Sequence, residues 1–230
     1  MSTIENHLIA LLPRKDRLHL ISACEPVALK LAEVLSEPGI PCRYIYFPTE
    51  GFISLVVQID GKPSVEVGLV GAEGMLGAHV ALNITLNPMY ALVQGTGHAW
   101  RMSARAFQGE LTSSPALQRC LKRYLYVMMA QMATSAGCLH SHLIGSRLAR
   151  WLLMSHDRAH SDNFYVTHEF LAYMLGVRRV GITTAAGSLQ RNGLIEYHRG
   201  ELTILNRRGL EAAACSCYAA DQRVYAAVME

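Results

Sequence analysis

Residues 167–195 read Thr167-His-Glu-Phe-Leu-Ala-Tyr-Met-Leu-Gly176-Val-Arg-Arg-Val-Gly-Ile182-Thr-Thr-Ala-Ala-Gly-Ser-Leu-Gln-Arg191-Asn-Gly-Leu-Ile195. Thr167 is a good helix N-cap, since its hydroxyl can accept from an N–H of the first turn, although Glu169 falls one residue short of the capping-box position. A first helix is predicted over His168 to Leu175, ended by Gly176, which is free to take positive φ at a helix C-terminus. A second helix runs from about Arg178 to Asn192 and closes at Gly193. The spacing Ala172, Gly176, Ile182 suits two tightly crossed helices: a small residue where they touch, a glycine at the sharp turn and a branched plug in the angle.

Ile182, Ala185 or Ala186, and Leu189 form the inner face of the second helix. The opposite face carries Arg178, Arg179, Thr183, Thr184, Gly187, Ser188 and Arg191, with no carboxylate. Such a face suits a groove lined with phosphates. Just beyond it, Leu194 to His198 and Glu201 to Leu205 alternate around Arg199-Gly200, the pattern of a β-hairpin wing. Arg178 to Arg208 holds six arginines against Glu196 and Glu201, a local net charge of +4 compared with +3 for the whole chain. Any basic site is therefore local, because the overall balance is too mild to announce nucleic acid.

Upstream, Leu143 to Arg158 is predicted as a helix carrying Leu148, Trp151, Leu152 and Met154, followed by the polar break Ser161-Asp162-Asn163. Before it, Ser113-Ser114-Pro115 opens a long helix in which Leu117, Leu121, Tyr124, Leu125, Met128 and Met132 recur at alternating spacings of three and four. That stripe is the expected dimer interface, and an ordinary helix packed on its own domain is the alternative. Arg43 to Met102 breaks into short β-type runs, namely 43–47, 51–59, 64–70, 89–94 and 98–102, with a hairpin signal at Asp60-Gly61-Lys62. Close spacing of short strands argues for a small barrel or sandwich. Residues 1–40 read as helix and loop, with Val27, Leu31, Val34 and Leu35 at helical spacing.

The chain has 230 residues, 51% hydrophobic and 17% charged, which excludes a disordered tail and leaves material for two domains. Its six cysteines form no Cys-x-x-Cys, and the N-terminal apolar run Leu8 to Leu12 is too short for a secretory leader. No disulfide framework is expected, and a cytoplasmic location is. The uncharged stretches Gly74–Trp100 and Tyr124–Ser146 are interrupted by polar residues and are poor membrane spans. With no Gly-x-Ser-x-Gly elbow, phosphate-binding glycine loop or His-Glu-x-x-His, the chain is not expected to be an enzyme.

These parts, in this order, resemble the Crp/Fnr superfamily of bacterial transcription regulators. The resemblance is most specific over Thr167–Ile195 and Arg147-Leu-Ala-Arg-Trp-Leu-Leu153. It is weaker in Tyr46-Phe-Pro48, Val65 to Gly77 and Ala91 to Gly95. It implies an α+β fold: an N-terminal β-roll of the cyclic-nucleotide-binding type (1–115), a long dimerisation helix (116–142) and a C-terminal winged helix-turn-helix (143–230). It implies a homodimer on a pseudo-palindromic DNA operator, contacted by Thr167, Arg178, Arg179, Thr183, Thr184, Ser188, Arg191, His198 and Arg199. It also implies a small-molecule effector in a pocket at Glu66, Gly74, Met75, Gly77, Tyr124 and Met128, and RNA polymerase as a further partner.

Departures from the family pattern are informative. Gly77 to Gln94 contains no Arg, Lys, Asp or Glu, so the glutamate and arginine that hold a cyclic phosphate are missing and cyclic AMP is not expected as effector. Cys24 stands alone in the first forty residues, against the four-cysteine iron–sulfur cluster of the oxygen sensors. In the recognition helix Arg179 keeps the first position of the common arginine–glutamate–arginine pattern, while Val180 and Thr184 stand at the others. Effector-independent or redox-responsive regulation, or a ligand- or partner-binding module with an inactive helix-turn-helix, are the alternatives.

No metal and no cofactor are expected. His156 and His160 read as surface histidines, and His79 lacks an identified second ligand. Cys215-x-Cys217 is placed in a terminal helix over about 208–228, where residues two apart diverge by about 200° and pack as small apolar groups.

Overall fold

The computed structural model describes residues 5–60 and 64–230. Gly61 and Lys62 of the expected hairpin lie outside the described residues. The chain opens with α1 (His7–Ala10) and α2 (Arg14–Ser22), followed by β1 (Glu25–Leu29), β2 (Val34–Ser36), β3 (Tyr44–Pro48), β4 (Phe52–Val57) and β5 (Val65–Val70). A 3-10 turn at Ala78–Leu82 precedes β6 (Tyr90–Gly95) and β7 (Gly97–Ser103). Two antiparallel sheets, β1-β7-β3 and β2-β6-β4-β5, make the β-roll.

The helical expectation for 27–35 gives way to strands. Val27 faces Ala99 in the β1–β7 ladder, and Val34 pairs with Leu92 of β6. Four apolar residues at that spacing fit either period, and pairing with an existing strand decided between them. Pro26 is tolerated because β1 is an edge strand.

Helices α3 (Ala104–Ser113) and α4 (Pro115–Ser141) follow, the second 27 residues long and capped by the Ser114 hydroxyl. Its stripe does not behave as one surface. Leu117, Leu121 and Tyr124 are buried in this chain's own core, beside Phe47, Met75, Phe107 and Met229. Those three expected interface residues are therefore unavailable to a partner, since the β-roll needs an apolar cover and the nearest helix supplies it. Leu125, Met128 and Met132 are half-buried against the roll. The outward face instead presents Tyr126, 58% exposed, and Met129, 69% exposed.

α5 (Ile144–Ala159) is enclosed over Arg147 to Ser155. β8 (Asn163–Tyr165), α6 (His168–Leu175), α7 (Arg179–Arg191), β9 (Ile195–His198) and β10 (Glu201–Ile204) then form the helix pair and a three-stranded wing of order β8-β10-β9. β8 was not legible, as three residues in a polar break give no period. The predicted terminal helix is in fact two, α8 (Arg207–Ala213) and α9 (Cys217–Met229), broken at Ala214–Ser216 where the Cys215 N–H donates to Ser146 O at 3.3 Å. Among the described residues no helix is long and apolar enough to cross a membrane.

The helix-turn-helix is built as its sequence requires. The Thr167 hydroxyl accepts from Phe170 N at 3.1 Å. Gly176 sits at φ +61, and the Val177 N–H returns to Ala172 O at 3.0 Å. Ile182 is fully buried, in one core with Leu148, Leu152, Leu171 and Leu189. Phe52 and Leu69 of the β-roll belong to that same core, so roll and helix-turn-helix share packing. Ile182→Ala is expected to cost about 2–4 kcal/mol through lost burial and a residual cavity, read as a lower urea midpoint with unchanged m.

Candidate nucleic-acid interface

The outer face of α7 is open. Arg178, Arg179, Thr183, Thr184, Ser188 and Arg191 are all exposed, while Ile182, Ala185, Ala186 and Leu189 are buried beneath them. This division follows from the 3.6-residue period, which sends the apolar positions inward and brings the arginines and hydroxyls to one surface. Arg178 is the N-cap residue with extended backbone, so its side chain stands at the mouth of the helix.

Two of the hydroxyls are held. Thr184 Oγ1 donates to Val180 O at 3.0 Å, leaving its methyl and lone pairs outward. Thr183 Oγ1 lies 3.2 Å from Arg179 O and 3.1 Å from His168 Nδ1. His168 in turn stacks on Tyr197 of the wing at 4.6 Å between ring centres. Burial, and secondarily the Arg179 charge, lower the His168 pKa. His168 and Tyr197 are positioning residues that sequence reasoning missed, for neither carries a periodic or motif signal.

The wing is tied to the helix pair from both sides. Tyr197 N donates to Gln190 Oε1 at 3.1 Å, and the Tyr197 hydroxyl donates to Val166 O. Its turn places Arg199 at φ +49 and Gly200 at φ +93, the double positive φ of a type I′ hairpin. His198 and Arg199 are exposed at that tip. Thr167 is exposed, but its hydroxyl is engaged as the α6 cap.

The expected effector residues do not converge on one pocket. Met75, Gly77 and Met128 line an apolar cavity of about 190 Å³ between the roll and α4, together with His79, Met89 and Met132. None of the side chains lining it is a carboxylate, lysine or arginine. Gly74 instead gives Tyr124 its place: a Cβ there would stand 2.1 Å from the Tyr124 hydroxyl, which accepts from Met75 N at 3.1 Å. Tyr124 faces a second cavity of about 410 Å³, bounded by α4, α5 and α9 and lined also by Glu73, Arg158 and Tyr225, and Met128 borders both cavities. Glu66 is on neither; it lies at a small recess with Arg147, Arg150 and Trp151. Glu66 is on β5, Gly74, Met75 and Gly77 are in the turn that follows it, and Tyr124 and Met128 are on α4, so three separate segments carry the expected set.

His156 meets Asp162 at 2.6 Å and also contacts Arg207, so it belongs to a surface ion network, while His160 caps α5 with left-handed backbone. Cys138, His142, Cys215 and Cys217 are brought together, which the helical reading of 208–228 excluded.

Residues 146–213 match the Crp-like helix-turn-helix domain family. No curated protein sequence matches the chain. Among solved structures, FixK2 from Bradyrhizobium japonicum superposes with a TM-score of 0.70 at 12% identity, covering 84% of this chain and 98% of that one. A CRP/FNR-family transcriptional regulator from Thermus thermophilus gives 0.68 at 22% identity, covering 83% and 98%. The c-di-GMP responsive global regulator CLP from Xanthomonas campestris gives 0.68 at 14%, covering 84% and 99%. The fold is thus a winged helix-turn-helix with a β-roll in front of it. Residues 146–213 form a Crp-like helix-turn-helix domain, and the chain shares its fold with solved regulators of the Crp/Fnr family.

Glu66 provides a pH test of the packing between roll and helix-turn-helix. Burial pushes its carboxyl up from 4.5 to about 7, partly offset by the Ser54 hydroxyl donating at 2.5 Å. A raised acid pKa means the folded state favours the protonated form. Its contribution is full below about pH 4.5 and is lost as pH rises through 7. Glu66→Gln is therefore expected to gain thermal midpoint relative to wild type as pH is raised from about 5 to about 8, checked by calorimetry at matched ionic strength.

Proposed function

We propose that this chain acts as a homodimeric, sequence-specific DNA-binding regulator, with α7 entering the major groove and two-fold symmetry presenting two such helices to half-sites about one helical turn, ~34 Å, apart. The carboxylate-free outer face of α7 carries this reading. Arg179 is assigned to guanine O6 and N7, and Thr184, at the position of the family's second arginine, offers a methyl and a hydroxyl, so the half-site differs from the usual one. Arg178, Ser188 and Arg191, with His198 and Arg199 on the wing, meet phosphates and set register. Thr167 contributes through the cap that orients α6.

For the dimer we assign the outward face of α4. Between Tyr124 and Ser141 that helix has no charged residue, and Tyr126 and Met129 are exposed on it. Leu125, Met128 and Met132 border this face and respond to what fills the apolar cavity beside them. An effector would act there by shifting the α4 pair and so the two recognition helices. The uncharged lining favours an apolar ligand over a cyclic nucleotide. The division into roll, long helix and DNA-binding domain, a cytoplasmic location, a role without catalysis and contact with RNA polymerase complete the proposal.

Selection of random duplexes on the purified protein tests it. An enriched palindrome is expected, and Arg179→Ala should weaken it about 10–100-fold, in line with 1–3 kcal/mol, while relaxing preference at one position of each half-site. Arg191→Ala should weaken all duplexes alike and reduce the salt slope by about 1. Enrichment of no duplex, with and without cell extract, would count against DNA binding. Met129→Arg, on an exposed position, is expected to leave the fold intact and halve the mass seen by light scattering; an unchanged dimer would place the interface elsewhere.

A further inference from the structure

Cys138 is on the last turn of α4, and His142, four residues on, is its extended C-cap residue. Cys215 sits in the break between α8 and α9, and Cys217 is the first residue of α9. Because Ala214 is extended and Ser216 helical, the backbone bends between the two cysteines and turns both sulfurs toward α4. The four ligand atoms all lie within 4.8 Å of one another. Cys138 Sγ is 3.5 Å from Cys215 Sγ, and Cys217 Sγ is 3.6 Å from His142 Nδ1.

These separations have the size of a coordination polyhedron. Tetrahedral bonds of about 2.3 Å to sulfur and about 2.0–2.1 Å to nitrogen give edges of roughly 3.8 Å between sulfurs and roughly 3.6 Å from sulfur to nitrogen. The 3.5 Å sulfur pair is far beyond a bonded disulfide of about 2.05 Å, and all six cysteines are free. Four ligand atoms packed this closely surround one ion, whereas a two-iron cluster spreads its ligand pairs over separate metals. Three thiols and an imidazole with no carboxylate are a soft set that disfavours magnesium and calcium. Four protein ligands close a tetrahedron, as structural zinc sites do.

We propose that Cys138, His142, Cys215 and Cys217 bind a single structural Zn²⁺ that fastens the end of α4 to the α8–α9 junction. Three thiolates and one Zn²⁺ sum to one negative charge, and the guanidinium groups of Arg147 and Arg150 adjoin Cys138 to offset it. Cys138 and Cys215 are buried while His142 and Cys217 are half-exposed, which leaves an entry path for the ion. Binding deprotonates the three thiols, so each Zn²⁺ taken up releases protons to solvent. The site stands next to the recognition apparatus. Cys215 N–H bonds Ser146 O, and the neighbouring Arg147 guanidinium donates to Leu175 O, the last residue before the helix-turn-helix glycine. The ion would therefore hold the long helix and the reading domain in one fixed relation.

The test uses the full chain, reduced and stripped with chelator, titrated with ZnCl2 against a chromophoric chelator. One equivalent of tight binding and a rise in thermal midpoint are expected. Co²⁺ in place of Zn²⁺ should give the intense visible bands of tetrahedral cobalt together with thiolate-to-cobalt charge transfer, a readout that needs no variant. Cys217→Ser and His142→Ala, both at half-buried positions, should weaken binding tenfold or more, whereas Cys24→Ser should leave it unchanged. Substoichiometric weak uptake, an octahedral cobalt spectrum, or equal uptake by a Cys138→Ser/Cys215→Ser double variant would overturn the proposal. So would a Cys138–Cys215 disulfide that forms readily in the presence of saturating zinc.

Discussion

The structure depends on a helix that is enclosed on every side and still carries two arginines. From Arg147 to Ser155 every residue of α5 is buried, so the guanidinium groups of Arg147 and Arg150 have to find partners inside the protein. Arg147 donates to Leu175 O, and Arg150 meets Asp221 of α9 at 2.7 Å and Ser135 of α4 at 3.3 Å. Burial without these partners would leave an uncompensated charge, a large cost that fixes where α4, α6 and α9 lie around α5. The apolar side of the same helix, through Leu148, Leu152 and Leu153, anchors α7 and the β-roll residues Phe52 and Leu69.

The helix-turn-helix domain and the roll share that core. Gly176, the turn of the helix-turn-helix, faces Val65 of β5 closely enough that an added Cβ would come within 3.3 Å. Arg158 of α5 reaches Glu73 beyond β5 at 2.7 Å, and Glu66 of the same strand sits beside Arg147 and Arg150. These contacts join the β-roll and the helix-turn-helix through a few polar links and one apolar layer.

α4 serves three faces at once. Leu117, Leu121 and Tyr124 cover the roll, Leu125, Met128 and Met132 border the apolar cavity, and Tyr126 and Met129 look outward. A helix over 27 residues rotates through all of its faces, so a single alternating stripe in sequence cannot say which turn meets which neighbour. Near its C-terminus the same helix offers Cys138 and His142 to the α8–α9 break. Any movement of α4 therefore reaches roll, cavity and reading domain together.

Local chemistry was enough to read the helix-turn-helix. Thr167 caps, Gly176 turns, Ile182 plugs and Arg199-Gly200 closes the wing, because each depends on backbone preferences and on neighbours within a few residues. The strands of the roll were legible for the same reason, except Glu25–Leu29 and Val34–Ser36, which, like Asn163–Tyr165 of the wing, exist through pairing with distant partners. Tertiary structure alone decided which residues of α4 are covered, why Glu66, Gly74 and Met75 part company, and that the terminal helix breaks at Cys215. It also brought residues 138 and 142 to residues 215 and 217, across more than seventy positions. Such assembly rests on long-range packing, to which neither spacing nor composition gives access, whereas the arginine face of α7 was visible because a helix writes its faces into its own period.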